Sequence, residues 1–185
     1  MGRSVPSKYP IPEGYKGPAN TTRAQSRVFA AFVTLVQSTR YDEIRVADLI
    51  SAADVGRSTF YDHFRDKDDV LRQSLKAPLA SVADAAVGMP DEAKLVWSLA
   101  HFWERRALAR IILAHPTRDV VAAALNELIL DRSSKVGDPD KDVEVIATMR
   151  AHGLVAFLAG WVVGRPAMTP EQAAKAVRAA CPPLV

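Results

Sequence analysis

Apolar residues recur every three to four positions along most of this chain, the spacing that lays one stripe along an α-helix. The stripe first emerges at Val28, Phe29, Phe32, Val33 and Val36, after Asn20, Thr21 and Thr22, any of which can serve as N-cap. It stops near Thr39-Arg40-Tyr41. Two short amphipathic helices are predicted next, roughly over 46–53 and 57–63, separated by a tight turn. A fourth starts at Asp66 as N-cap, with further acids in the first turn where the helix dipole favours them. It runs past Leu75, with Pro78 as a candidate kink.

Gly88-Met89-Pro90 breaks the pattern, and Asp91 opens a segment carrying Leu95, Val96, Leu99, Phe102 and Trp103. After His115-Pro116 comes a helix through Val120, Val121, Leu125, Leu128 and Ile129. Gly137-Asp138-Pro139 reads as a loop, with Asp140 as the next cap. The helix that follows, about 141–163, is the most apolar of all, and Gly164-Arg165-Pro166 ends it. Thr169-Pro170-Glu171-Gln172 starts the last helix, with Thr at N-cap, Pro at N1 and Gln at N3. That helix ends near Cys181-Pro182-Pro183. Strand-like Val-Ile-Thr runs between turn dipeptides are absent, so the expected fold is all-α with about nine helices.

Composition narrows the class. With 185 residues, 49% apolar and 24% charged, the chain can bury a sizeable core and reads as an ordinary globular protein. Its single cysteine, Cys181, cannot form an internal disulfide, which fits a reducing cytosol. The N-terminus has no apolar signal-peptide core, and the longest uncharged stretch, 153–164, falls short of the roughly 20 residues of a membrane helix. A cytoplasmic protein with no membrane partner is expected. Residues 1–19, with Pro6, Pro10, Pro12 and Pro18 and no apolar period, read as a mobile tail. It is either an ordinary terminus or a basic arm that touches DNA.

The stretch from Ile44 to Leu71 carries the functional signal. Leu49, Ile50, Val55, Phe60 and Phe64 are spaced to point inward, which leaves Arg57, Ser58, Thr59, Tyr61 and His63 on or near the exposed side of the second short helix. A helix-turn-helix needs small polar, aromatic and basic side chains there if that helix is to lie in the major groove of DNA. Ser58 and Thr59 can hydrogen-bond base edges or phosphates, and Arg57 can pair bidentately with a guanine or clamp a phosphate. Tyr61, His63 and Lys67 suit phosphates, as do the amides of the helix opening at Arg45 or Val46.

Net charge does not announce a nucleic-acid binder. Residues 20–71 hold seven basic and eight acidic residues, a balance of −1 in a chain whose total is +3. The four acids from Asp62 to Asp69 must therefore lie off the DNA face.

The stretch resembles the DNA-binding head of the TetR family of bacterial transcriptional regulators. That family's pattern runs Thr-Val-x-x-Ile-Ala, then Ala-Gly-Val-Ser-x-Gly-Thr-Leu-Tyr-x-Tyr/His-Phe, then Lys-x-Lys-Glu-x-Leu. Val46, Ala47, Asp48, Leu49 and Ile50 fall on the first part, and Ala53, Val55, Thr59, Phe60, Tyr61, His63 and Phe64 on the second. Arg65, Lys67, Asp68 and Leu71 fall on the third. Three positions depart. Asp54 stands for the turn glycine, Gly56 for the serine capping the recognition helix, and Arg45 for the threonine opening the first short helix. A helical hairpin inside an unrelated helical protein is the bland alternative.

The resemblance implies a helix-turn-helix domain over 20–67 and a helical effector-binding and dimerisation domain over 68–185. It implies three partners: double-stranded operator DNA, a small-molecule effector of unknown identity, and a second copy of the chain. Trp97, His101, Phe102, His115, Met149 and His152 are candidate pocket residues, aromatic or soft walls with a few polar groups, though each taken alone reads more readily as an ordinary core or surface residue. Ala156, Gly160 and Gly164 form a small-residue stripe beside Phe157 and Trp161. With Ala173 and Val177 of the alanine-rich last helix, they are the candidate dimer interface, unless both helices simply pack in a monomer core.

No histidine pair has metal-ligand spacing, and no Gly-rich phosphate loop or nucleophile motif is present. Neither metal, cofactor nor catalysis is expected. The favoured function is a ligand-responsive homodimeric repressor. The runner-up is a helical module for protein contacts or nonspecific nucleoid binding.

Overall fold

The computed structural model describes residues 9, 12, 21–135 and 141–183. Asn20, the Gly137-Asp138-Pro139-Asp140 loop and the rest of the N-terminal tail lie outside the described residues. Among those described there are nine α-helices, one 3-10 turn over Tyr41–Glu43 and no strand. The helices are α1 Arg23–Ser38, α2 Val46–Ala53, α3 Arg57–His63, α4 Lys67–Ala86, α5 Glu92–Glu104, α6 Arg106–Ile112, α7 Thr117–Ser133, α8 Lys141–Val162 and α9 Pro170–Ala180.

Local signals set most of the helix starts. Thr22 caps α1, its hydroxyl accepting from the Gln25 amide while the Gln25 side chain takes the Thr22 N–H. Thr169 and Gln172 repeat this reciprocal box at α9, with Pro170 as the first residue. Asp66 and Asp91 cap α4 and α5 by accepting from amides three residues on. Each removes one of the orphan N–H groups that a helix leaves at its start.

One boundary differs from the sequence pattern, which runs unbroken from Asp91 to His115. Arg105 leaves helical geometry (φ −102°, ψ 28°) and divides the segment into α5 and α6. Neither Gly nor Pro marks the site, so the apolar spacing passes over it. α4, by contrast, continues through Pro78.

The first three helices form the head, with α1 against α2 and α3. α4 leaves the head and becomes the spine of the remaining helices, packing on α5 and α7, while α7 packs on α8 and α5 on α9. Leu79, Leu95, Leu99, Leu125, Ile129, Leu158 and Trp161 are fully buried and fill the centre. Trp161 stacks on Trp103 at 5.2 Å between centroids and donates its indole N–H to Met168 O at 3.0 Å.

By length and composition Asp142–Val162 is apolar enough to cross a membrane, although the longest uncharged stretch is not. Helix α8 carries Arg150, whose guanidinium donates to Ala86 O, and it buries Ala147, Ala151, Val155 and Leu158 in the core. Its other side leaves Val145, Ile146 and Met149 exposed.

Candidate nucleic-acid interface

A helix as short as α3 is marginal alone and takes its stability from packing. Phe60 and Phe64 supply it. Both are 1% exposed, their rings 5.4 Å apart, and Phe64 meets Phe29 of α1 edge-on at 5.5 Å. Leu49 and Ala53 of α2 are buried beside them. With that face locked, Arg57, Ser58 and Tyr61 stand exposed, and Thr59 and His63 half-exposed, on the other. Tyr61 is 52% exposed and stands edge-on to Phe60.

The turn before α3 holds without glycine. Asp54 takes the left-handed conformation (φ 48°, ψ 54°), which Asp tolerates better than most residues, and its carboxylate accepts from Arg27 at 2.5 Å. Gly56 adopts φ −68° and ψ 150°, a conformation open to any residue, and an added Cβ would meet nothing closer than Thr59 Oγ1 at 3.5 Å. Glycine is not sterically required there. It leaves the start of α3 bare.

The charge problem resolves through what the acids do. Asp48 accepts the Arg45 N–H at 2.8 Å, and Asp69 accepts the Arg65 N–H at 3.0 Å and the Gln73 amide at 3.2 Å. Asp68 takes the Tyr41 hydroxyl. Arg40 donates to Asp42 at 2.8 Å and holds that carboxyl below its ordinary range. With Asp54, Asp66 and Glu43, which lies 4.0 Å from Arg40, seven of the eight acids in residues 20–71 are engaged as caps, ion-pair partners or hydrogen-bond acceptors. Arg45 and Arg57 make no ion pair among the described residues and stand exposed.

Two of the expected contacts are already engaged within the protein. His63 Nε2 sits 3.4 Å from Thr22 Oγ1, which ties the end of α3 to the start of α1. Lys67 turns inward: Nζ donates to Tyr41 O at 2.6 Å and Ile44 O at 3.0 Å and lies 4.6 Å above the Tyr41 ring. It pins the 3-10 turn to α4, so its ammonium is not free for a phosphate. Lys67→Met should therefore lower head stability by about 1–3 kcal/mol, the cost of carbonyls left without their charged donor. Urea unfolding reads this, and the salt dependence of any DNA binding should stay unchanged.

Sequence spacing missed Arg23. It stands exposed in the first turn of α1, and the Thr22–His63 contact brings that turn to the end of α3. Only tertiary structure places it there. Val46 is half-buried and packs on the core, so its backbone alone remains for DNA. From the tail, Tyr9 donates its hydroxyl to Glu171 at the start of α9.

The candidate pocket residues do not converge. His101 and Phe102 line one cavity between α1, α4, α5 and α6, and Trp97 stacks on His101 at 5.7 Å. Burial, and then the Arg105 charge, hold the His101 imidazole below its ordinary pKa. Met149 lies instead in an apolar groove between α8 and α9, while His115 and His152 are exposed elsewhere. His152 bonds its own helix at Thr148 O, 2.9 Å away.

The candidate dimer residues also divide. Trp161 and Ala173 are completely buried within one chain and have no surface left for a partner. Gly160 is small because the chain turns back on it, with Arg165 O only 2.6 Å from where a Cβ would stand. Gly164 has φ +85° and ends α8, its N–H bonded to Trp161 O at 2.7 Å. Ala156 is exposed, and Phe157 and Val177 line the α8–α9 groove, with Met149, Ile146 and Gly153 along it.

A polar, partly basic helix locked against two others by an aromatic core is the architecture of a helix-turn-helix head. Residues 35–73, from the last turn of α1 into α4, match the family described as bacterial regulatory proteins, tetR family. No curated protein matches the chain by sequence. Among solved structures, a TetR transcriptional regulator from Streptococcus agalactiae 2603V is similar at TM-score 0.51 and 22% identity, over 86% of this chain and 94% of that one. A TetR-family transcriptional regulator from Syntrophomonas wolfei is similar at TM-score 0.50 and 20% identity, over 84% and 91%. At such identities the likeness is one of fold. The family match is thus confined to the head, and the rest of the chain shares the fold of these regulators.

Proposed function

We propose that this protein is a sequence-specific DNA-binding regulator that acts as a homodimer, a repressor released from operator DNA by a small-molecule effector. The observation that carries this reading is α3, whose buried Phe60 and Phe64 hold Arg57, Ser58, Thr59 and Tyr61 together on an open face. One such helix reads too few base pairs, and two related by a two-fold axis read successive major grooves. The apolar α8–α9 groove of about 550 Å³, flanked by exposed Val145 and Met149, offers the self-complementary surface that a second copy would cover.

Fluorescence anisotropy on the DNA upstream of the chain's own gene tests the reading. Specific binding with two protomers per site is expected. Arg23, Arg45 and Arg57 from each copy would give a log–log salt slope of about −5. Equal affinity for operator and scrambled DNA would sink it.

A further inference from the structure

The cavity that holds His101 and Phe102 lies at the joint between head and body, and the sequence gives no reason to expect it there. Phe32 of α1, Leu71 and Leu75 of α4, Phe102 of α5 and Ala109 and Ile112 of α6 form its apolar walls. Its volume is about 120 Å³. That corresponds to about four water volumes, yet the walls offer water few partners, and an apolar cavity is better filled by carbon. Two of its polar lining groups stand one helical turn apart. Arg105 sits at the break between α5 and α6, exposed and with no ion pair among the described residues, and His101 stands one turn before it. Ser74, also on the wall, already donates its hydroxyl to Leu71 O at 2.8 Å.

We propose that this cavity is a binding site for a short-chain monocarboxylate, its alkyl chain among Phe32, Leu71, Leu75 and Phe102 and its carboxylate on the Arg105 guanidinium. An exposed, unpaired guanidinium beside a dry apolar cleft selects an anion with a hydrocarbon tail over a neutral apolar molecule or a polyanion. His101, with its charged form disfavoured, presents a neutral ring that can donate one hydrogen bond to the same carboxylate. The volume limits the tail to about four to six carbons.

The location gives such a ligand leverage. The cavity is walled by the head's first helix on one side and by α4, α5 and α6 on the others, so filling it bears directly on how the head sits on the body. This consequence rests on the regulator reading, since it supplies that reading with a ligand class and a place. Binding itself does not depend on DNA.

The test is a calorimetric titration of the full chain, without DNA, with the linear acids from acetate to decanoate. Affinity should rise about threefold to fourfold per added CH2 up to about six carbons, then fall as the tail outgrows the walls. Trp97, stacked on His101, provides a second readout through its fluorescence. Arg105→Gln, at an exposed site, should weaken hexanoate at least about tenfold while leaving hexanol binding unchanged. Val33→Phe, from the α1 wall, should abolish binding of both. No saturable binding at any chain length would overturn the proposal, as would affinity that climbs steadily to decanoate or is indifferent to Arg105→Gln. A parallel anisotropy titration on upstream DNA separates the two readings. Specific DNA binding without acid binding removes the cavity proposal alone, and acid binding without specific DNA binding removes the regulator reading alone.

Discussion

Arg57→Ala protein should bind its operator about thirtyfold to ten-thousandfold more weakly than the parent while unfolding at the same urea concentration. Arg57 opens α3, is exposed, and has no ion pair among the described residues, so its removal leaves no buried partner unsatisfied. Surface changes of this kind cost stability within about 0.5 kcal/mol. Against DNA the account is different. A bidentate guanidinium–guanine pair is worth about 1–3 kcal/mol of discrimination, and a two-fold dimer makes it twice. The doubled loss of about 2–6 kcal/mol gives the quoted range, at tenfold per 1.4 kcal/mol.

The same measurement distinguishes the two roles open to Arg57. If it reads a guanine, affinity for operator falls far more than affinity for scrambled DNA, and the salt slope barely changes. If it clamps a phosphate, both affinities fall together and the slope shrinks by about two units across the dimer. Unchanged affinity on both DNAs would remove α3 as the recognition helix. Tyr61→Phe supplies a milder companion, because it deletes one hydroxyl and keeps the ring packed against Phe60.

How far the sequence could be read depended on whether a feature was local. Thr22, Asp66, Asp91 and Thr169 act on amides three residues away, so the helix starts they set are visible in a short window. The inward face of the head was visible too, because period and residue type agree at Leu49, Phe60 and Phe64. Lys67 was misleading. On the motif it looks like a cation free for phosphate, but its partners, the carbonyls of Tyr41 and Ile44, lie more than 20 residues back. Gly160 and Gly164 show the reverse failure. A small-residue stripe resembles a docking face, while the real constraints are a carbonyl folding back onto the helix and a positive φ that ends it. Aromatic and histidine content beyond the head carried even less, since residue type does not say which cavity a side chain faces. His101 and Met149 went to different sites for that reason.

The largest effect at a distance from DNA should come from Met149→Asp. Met149 is 68% exposed, and with Val145 at 57% and Ile146 at 38% it makes one apolar strip along α8 beside the α8–α9 groove. In a lone chain an aspartate there meets water and costs little. In a dimer that closes over the strip, two unpaired carboxylates would be buried face to face, a penalty of several kcal/mol per ion. Sedimentation velocity should therefore show a monomer at micromolar concentration, with circular dichroism close to the parent's and a urea midpoint that is lower and no longer depends on protein concentration, because association no longer adds to stability. Operator affinity should drop by about a hundredfold to ten-thousandfold, because the second head would no longer bind at the high effective concentration that linkage provides. Gly153→Ala sharpens the assignment. An added Cβ at Gly153 meets nothing within 4 Å in the single chain, so alanine should stabilise α8 itself by about 1 kcal/mol. If the partner's helix closes against Gly153, the same methyl must instead weaken association. A variant that is more stable as a monomer yet dissociates more readily would mark this stretch of α8 as a contact between subunits. A gain in stability with unchanged association would move the interface away from it.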